Sequence, residues 1–164
     1  ASPKLAFGYN LDGDAGWETL TRLGDDQCPM YGGQKLDASG HWFSPEDTGH
    51  GFSAQILPNT EIYAAYVYDG DGFPRWLIGQ KDYDASVTSV TMQLLTGFCP
   101  TCPLVPLQSR SVGTLTRTLG ASSGNDGRPG ITSLDLGVAY EPRFWGAFFA
   151  DAPTFLLSER KGCD

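Results

Sequence analysis

Residues 41–80 read HWFSPEDTGHGFSAQILPNTEIYAAYVYDGDGFPRWLIGQ, and this stretch decides the fold. Residues 52–57 form a short apolar strand pattern closed by Pro58-Asn59, and residues 61–68 follow with Ile62, Ala64, Tyr66 and Tyr68 on one face. The other face carries Tyr63, Ala65 and Val67, so the segment is apolar on both sides, as a central strand should be. Asp69-Gly70-Asp71-Gly72 then predicts a hairpin turn, since Asp-Gly accepts the positive φ of tight β-turns, and residues 75–80 return as the partner strand. Alternation puts Trp76 with Ile78, and Tyr66 with Ile62 and Ala64, on apolar faces assigned to the core. Trp42, Tyr63 and Trp145 are left as candidate exposed platforms.

Outward from this centre, residues 5–11 predict a first strand. Trp17, Leu20 and Leu23 recur at helical spacing between Asp14 and Gly24, which predicts one short N-terminal helix. Residues 87–95 and 112–119 alternate apolar and polar side chains as half-buried strands do, and residues 131–140, 143–150 and 155–160 continue the pattern. Residues 120–130, rich in Ser, Gly and Asn, read as a flexible loop. The expected fold is all-β: an antiparallel β-sandwich or partly closed barrel of about nine or ten strands. One domain of 164 residues is expected, with residues 1–27 as a strand and helix and residues 40–163 as the β module.

Eleven Lys and Arg against nineteen Asp and Glu give a net charge of -8, which repels phosphate backbones and argues against nucleic acid as a partner. No run is apolar and long enough for a transmembrane segment. Cys28, Cys99, Cys102 and Cys163 allow three pairings, of which Cys28 with Cys163 and Cys99 with Cys102 are favoured. Pro100, Pro103 and Pro106 deny Cys99-Pro-Thr-Cys102 the helix a redox pair opens, and zinc would want a second close pair or nearby His. Two structural disulfides imply an oxidising compartment. A chain that begins at Ala1 is what a secreted or cell-surface protein leaves after its signal peptide is removed.

Gly40-His41-Trp42-Phe43, Ser44-Pro45, Thr48-Gly49-His50-Gly51-Phe52, Ile56-Leu57-Pro58, Tyr66-Val67-Tyr68-Asp69, Gly72, Pro74 and Trp76 together resemble a β module of uncharacterised secreted and surface proteins of Gram-negative bacteria. Its pattern runs roughly W-Y/F-x-P, S-G-x-G, V-L-P, W-F-T-Y-D, G-x-P-x-W. Phe98-Cys99-Pro-Thr-Cys102-Pro, residues 112–116 and residues 156–160 look like its middle and end. This chain departs from the pattern at Tyr66-Val67-Tyr68 and over residues 120–130. The resemblance implies export and a β architecture, and it brings no established activity.

Few residues point to chemistry. Asn10, Asp12 and Asp14 place oxygens at alternate positions, as a calcium loop does, though Thr21 stands where an EF-hand has its Glu. His41, Glu46, Asp47 and His50 offer nitrogen and carboxylate donors for a divalent metal, at no established ligand spacing, and equally suit a tight turn. No Gly-x-Ser-x-Gly elbow and no phosphate-binding glycine loop occurs. With catalysis least supported, the expected function is a noncatalytic extracellular binding or adhesion module recognising a glycan or surface polymer through aromatic rings. The alternative is a self-assembling filament or surface-layer subunit whose partners are copies of itself, joined by strand edges or by an N-terminal strand within residues 2–11.

Overall fold

The structure, a computed structural model, describes residues 4–11, 13–21, 27–96, 106–123, 127–140, 144–160 and 162–163. The described residues are all-β and hold no helix. They divide into a small unit, residues 1–25 with 96–108, and a large unit formed by residues 26–95 and 109–164.

The small unit contains a hairpin of β1 (Lys4–Leu11) and β2 (Asp14–Thr21). The predicted N-terminal helix is therefore corrected to a strand. Leu11 pairs with Asp14 across a turn holding Gly13 at φ 89°, and the register continues to Lys4 opposite Thr21. Trp17 and Leu20, three residues apart, fall on opposite faces of this ribbon, so their spacing reflected no helical stripe. Aromatic rings cover the glycines opposite them: the Trp17 ring lies over Gly8 and the Tyr9 ring over Gly16.

The large unit begins with a hairpin of β3 (Met30–Tyr31) and β4 (Gln34–Lys35), turned by Gly32 and Gly33 with φ of 57° and 80°. There follow β5 (Gly40–Phe43), β6 (Gly51–Leu57), β7 (Thr60–Tyr68), β8 (Pro74–Lys81) and β9 (Thr88–Thr96). The chain continues through β10 (Gln108–Ser123), β11 (Arg128–Tyr140), β12 (Phe144–Pro153) and β13 (Phe155–Leu156). Nine of these form one antiparallel sheet in the order β12-β11-β10-β9-β8-β7-β6-β5-β13. It is a meander with one exception, because β12 and β13 stand at opposite ends of the order although only Thr154 separates them in the chain.

That exception curls the sheet, since one residue cannot span two distant edges. Thr154 stays with β11, donating its N–H to Thr132 O and its hydroxyl to Ile131 O, while Leu156 already faces Trp42 on β5. The two ends therefore meet at this corner, and the unit is a partly closed barrel rather than a sandwich. Of residues 120–130, expected as a loop, the described residues 120–123 and 128–130 are strand: β10 and β11 run on with irregular register to Ser123 opposite Arg128.

The interior follows the alternation of the strands. Phe52, Ala54 and Ile56 of β6, Tyr63, Ala65 and Val67 of β7, Val90, Met92 and Leu94 of β9, and Leu115 and Leu119 of β10 are buried together. Trp42 stacks on Phe52 at 6.4 Å, and Phe52 meets Phe149 edge-on at 5.8 Å. Cys28 and Cys163 form the predicted bridge, with Cα atoms 5.4 Å apart across 135 residues. Closing a loop of that length stabilises by about 4 to 5 kcal/mol on the chain-entropy estimate. Cys99 and Cys102 lie outside the described residues.

Candidate functional site

The hairpins of β5 to β8 sort their side chains onto two faces, and the sorting inverts part of the sequence reading. β6 alternates cleanly, and its tight turn sets Leu57 opposite Thr60, Ala54 opposite Tyr63 and Phe52 opposite Ala65. Tyr63 is thereby carried inward with Ala54, and Trp42 inward with Phe52. Their exposures are 0% and 1%, so neither ring is an exposed platform, and both are corrected to core residues. Trp145 on β12 pairs with Ala139 of β11, and its side chain is outside the described part.

The outward face carries the other set. Trp76 is 69% exposed, Tyr68, Phe73 and Ile78 are exposed beside it, and Ile62, Ala64 and Tyr66 are half-buried. The register places His41 opposite Ser53, Ser53 opposite Ala64, and Tyr66 opposite Trp76. Ser53 Oγ bonds His41 Nδ1 at 2.7 Å and Tyr66 Oη at 3.0 Å. Tyr66 in turn meets the Trp76 ring edge-on, with centroids 5.5 Å apart. A polar row of three side chains thus runs across the sheet and ends on an exposed indole. Beside His41 and Ser53 lies an open groove of about 510 Å³, also lined by Gln55, Ile62 and Glu159. The arrangement offers a flat apolar ring, hydroxyls that both donate and accept, an amide and an imidazole.

The other candidates separate. His41 belongs to this row, whereas His50 Nδ1 bonds Asp47 Oδ1 at 3.0 Å in the β5–β6 loop. There His50 meets Phe148 edge-on at 5.1 Å, and Asp47 Oδ2 accepts the Phe149 N–H at 2.6 Å. Phe149 sits at φ 57°, an uncommon conformation for a side-chain-bearing residue, and that hydrogen bond helps to hold it. His41, Glu46, Asp47 and His50 do not converge as metal donors among the described residues. Of the calcium candidates, Asn10 of β1 pairs with Ala15 of β2 and Asp14 opens β2, while Asp12 lies outside the described residues.

Asp69 makes the predicted turn. Its Oδ1 accepts the N–H groups of Asp71 and Phe73, and its Oδ2 accepts Arg75 Nε at 2.8 Å. Burial opposes ionisation, but the Phe73, Arg75 and Asp71 hydrogen bonds outweigh it and hold the carboxyl below its ordinary range.

A second polar cluster, inside the barrel, was not singled out from sequence. Arg117 of β10 and Glu61 of β7 are both fully buried and paired by two hydrogen bonds, Nε to Oε2 at 2.9 Å and Nη2 to Oε1 at 2.6 Å. Tyr63 donates its hydroxyl to Glu61 Oε2 at 2.6 Å, and Asp84 N–H donates to Oε1 at 3.0 Å. Arg117 also donates to the carbonyls of Asp84 and Ser86, so the pair pins the β8–β9 connection against the barrel. Burial, and then the Glu61 charge, push the Tyr63 hydroxyl far above its ordinary value. Burial works against the charged form of Arg117, yet its contacts with Glu61 and Tyr63 raise it further. Glu61 begins an apolar strand at an inward position, and that lone inward charge was the available signal.

No protein-family model matches this chain, and neither a curated protein nor a solved structure matches it. Among the described residues no helix is long and apolar enough to cross a membrane.

Proposed function

We propose that this chain is a secreted or cell-surface, noncatalytic module that binds a glycan or surface polymer on the outer face of β5 to β8. The observation that carries the reading is Trp76, 69% exposed and coupled through Tyr66 to the Ser53–His41 row. A sugar ring would stack its C–H face on the indole, and the row and Gln55 would meet its hydroxyls. The protein's net charge of -8 suits a neutral rather than an acidic polymer. Export is supported by the Cys28–Cys163 bridge, and a Cys99–Cys102 bridge would complete the disulfide set. Calcium at Asn10, Asp12 and Asp14 would be a structural addition rather than part of this site.

Retention on insoluble polysaccharides, compared between the wild type and Trp76→Ala, tests the reading. Retention by the wild type that is lost in the variant at unchanged melting temperature is expected. No retention of the wild type on any neutral polymer removes the proposal.

A second reading, self-assembly with copies of itself, is favoured by the β1–β2 hairpin. It exposes Leu5, Phe7, Trp17 and Leu20, more apolar surface than a two-stranded ribbon leaves in water without consequence. β1 is already paired with β2, so the hairpin and not a lone strand would be the joining element. Light scattering with and without residues 1–21 separates the two readings, because assembly predicts oligomers that the deletion abolishes.

A further inference from the structure

The disulfide lies against a buried carboxylate. Asp37 is only 8% exposed, its Oδ2 accepts the Gly162 N–H at 2.7 Å, and its Oδ1 has no hydrogen-bond partner. A buried carboxylate oxygen without a protein partner is left for water or, once the sulfurs are free, for an ion. A carboxylate oxygen of Asp37 and the sulfurs of Cys28 and Cys163 all lie within 4.8 Å of one another.

We propose that, before the bridge forms, Cys28, Cys163 and Asp37 make a site for a single zinc ion. Two thiolates and one carboxylate are a donor set that zinc accepts, with water completing a tetrahedron. Bond lengths of about 2.3 Å to sulfur and about 2.1 Å to oxygen set the ligand atoms roughly 3.5 Å apart, and these donor atoms lie within 4.8 Å of one another. The Gly162 N–H fixes one carboxylate oxygen and leaves the orphaned one for the metal, the division of labour typical of ligating carboxylates. A cavity of about 320 Å³ lined by Asp37 and Cys163 gives a path from solvent. Lys35, Arg128 and Arg160 also line it; they oppose entry of a free dication, but three anionic donors outweigh its charge and leave an excess that these cations offset.

Metal and disulfide are mutually exclusive uses of the same two sulfurs. Reduction by a small dithiol transfers two electrons and two protons, breaks the S–S bond, yields two thiols and leaves the reductant as its own disulfide. Zinc then displaces both thiol protons into solvent. In the newly made chain the ion would hold Cys28 beside Cys163 and keep both from pairing with Cys99 or Cys102.

The test uses the full chain carrying Cys99→Ser and Cys102→Ser, so that no other thiol competes. After dithiol reduction and removal of the reductant, titration with zinc alone should load one ion per chain, and cobalt in its place should give a thiolate-to-metal charge-transfer band. The oxidised chain should load none. Asp37→Asn should weaken zinc at least tenfold while keeping two thiolates, and Cys28→Ser should abolish loading. If reduction unfolds the chain, zinc must restore the strand signal in circular dichroism. Failure to load or to refold overturns the site, and loading that is indifferent to Asp37→Asn overturns the role of the carboxylate.

Discussion

The two faces of β5 to β8 carry nearly equal numbers of aromatic rings and use them in opposite ways. Inside, Trp42 and Tyr63 are closed off from water, and the fully buried charges of Glu61 and Arg117 satisfy each other and the neighbouring backbone. Outside, Tyr66 and Trp76 are held edge to face with a row of hydrogen-bonding groups that remains open to solvent. Aromatic content alone therefore says little about function; what matters is whether the polar groups around a ring are already spent.

Substitutions can break this contrast, and their effects on stability should fall steeply from the inner face to the outer. Glu61→Gln leaves the Arg117 charge buried without its counter-charge and should cost about 3 to 5 kcal/mol in urea denaturation. Trp42→Ala, which empties the stacked pair with Phe52, belongs in the same range of about 3 to 5 kcal/mol. Tyr63→Phe removes one donor from Glu61 and keeps the ring, so about 1 to 3 kcal/mol is expected.

At the turn, Asp69→Asn should make stability less dependent on pH in acid. The folded carboxyl lies below its unfolded value of about 3.9, so its contribution is complete above that pH and fades as pH falls through the lower folded value. Wild type and Asp69→Asn melting curves should therefore converge as the solution is acidified below about pH 4. Trp76→Ala sits at the far end of the series, within about 0.5 kcal/mol of the wild type, with loss of polymer retention as its only large effect. If Trp76→Ala instead destabilises as Trp42→Ala does, the outer face is structural and the contrast fails.

Much of the barrel was legible in residues 41–80 and in the strands after them, because period-two alternation and Asp-Gly turns are local signals. Val90, Met92 and Leu94 were placed correctly for that reason. The orientation of β7 was not, since both of its faces are apolar and alternation separates two faces without saying which is inner. The missing constraint was the neighbour: β6 places Phe52, Ala54 and Ile56 on one face and Ser53 and Gln55 on the other, and its tight turn transmits that choice to Tyr63 and Ala65. The hairpin of β1 and β2 was lost to three apolar residues at helical spacing, although Asp12-Gly13 carries the same turn signal that identified residues 69–72. Arg117 and Glu61 are 56 residues apart, and no local pattern announces a pair made by strands that are not neighbours.

The single-residue corner at Thr154 governs how this molecule can fold. Every other neighbour relation in the nine-stranded order joins strands consecutive in the chain, but the contact of β13 with β5 waits for all the strands between to be in place. Loop closure over such a distance raises contact order and moves folding toward the millisecond-to-second regime of barrels. A variant that weakens Leu156 or Phe155 should therefore leave early hairpin formation untouched and slow only the last, cooperative phase, in which the two rims find each other.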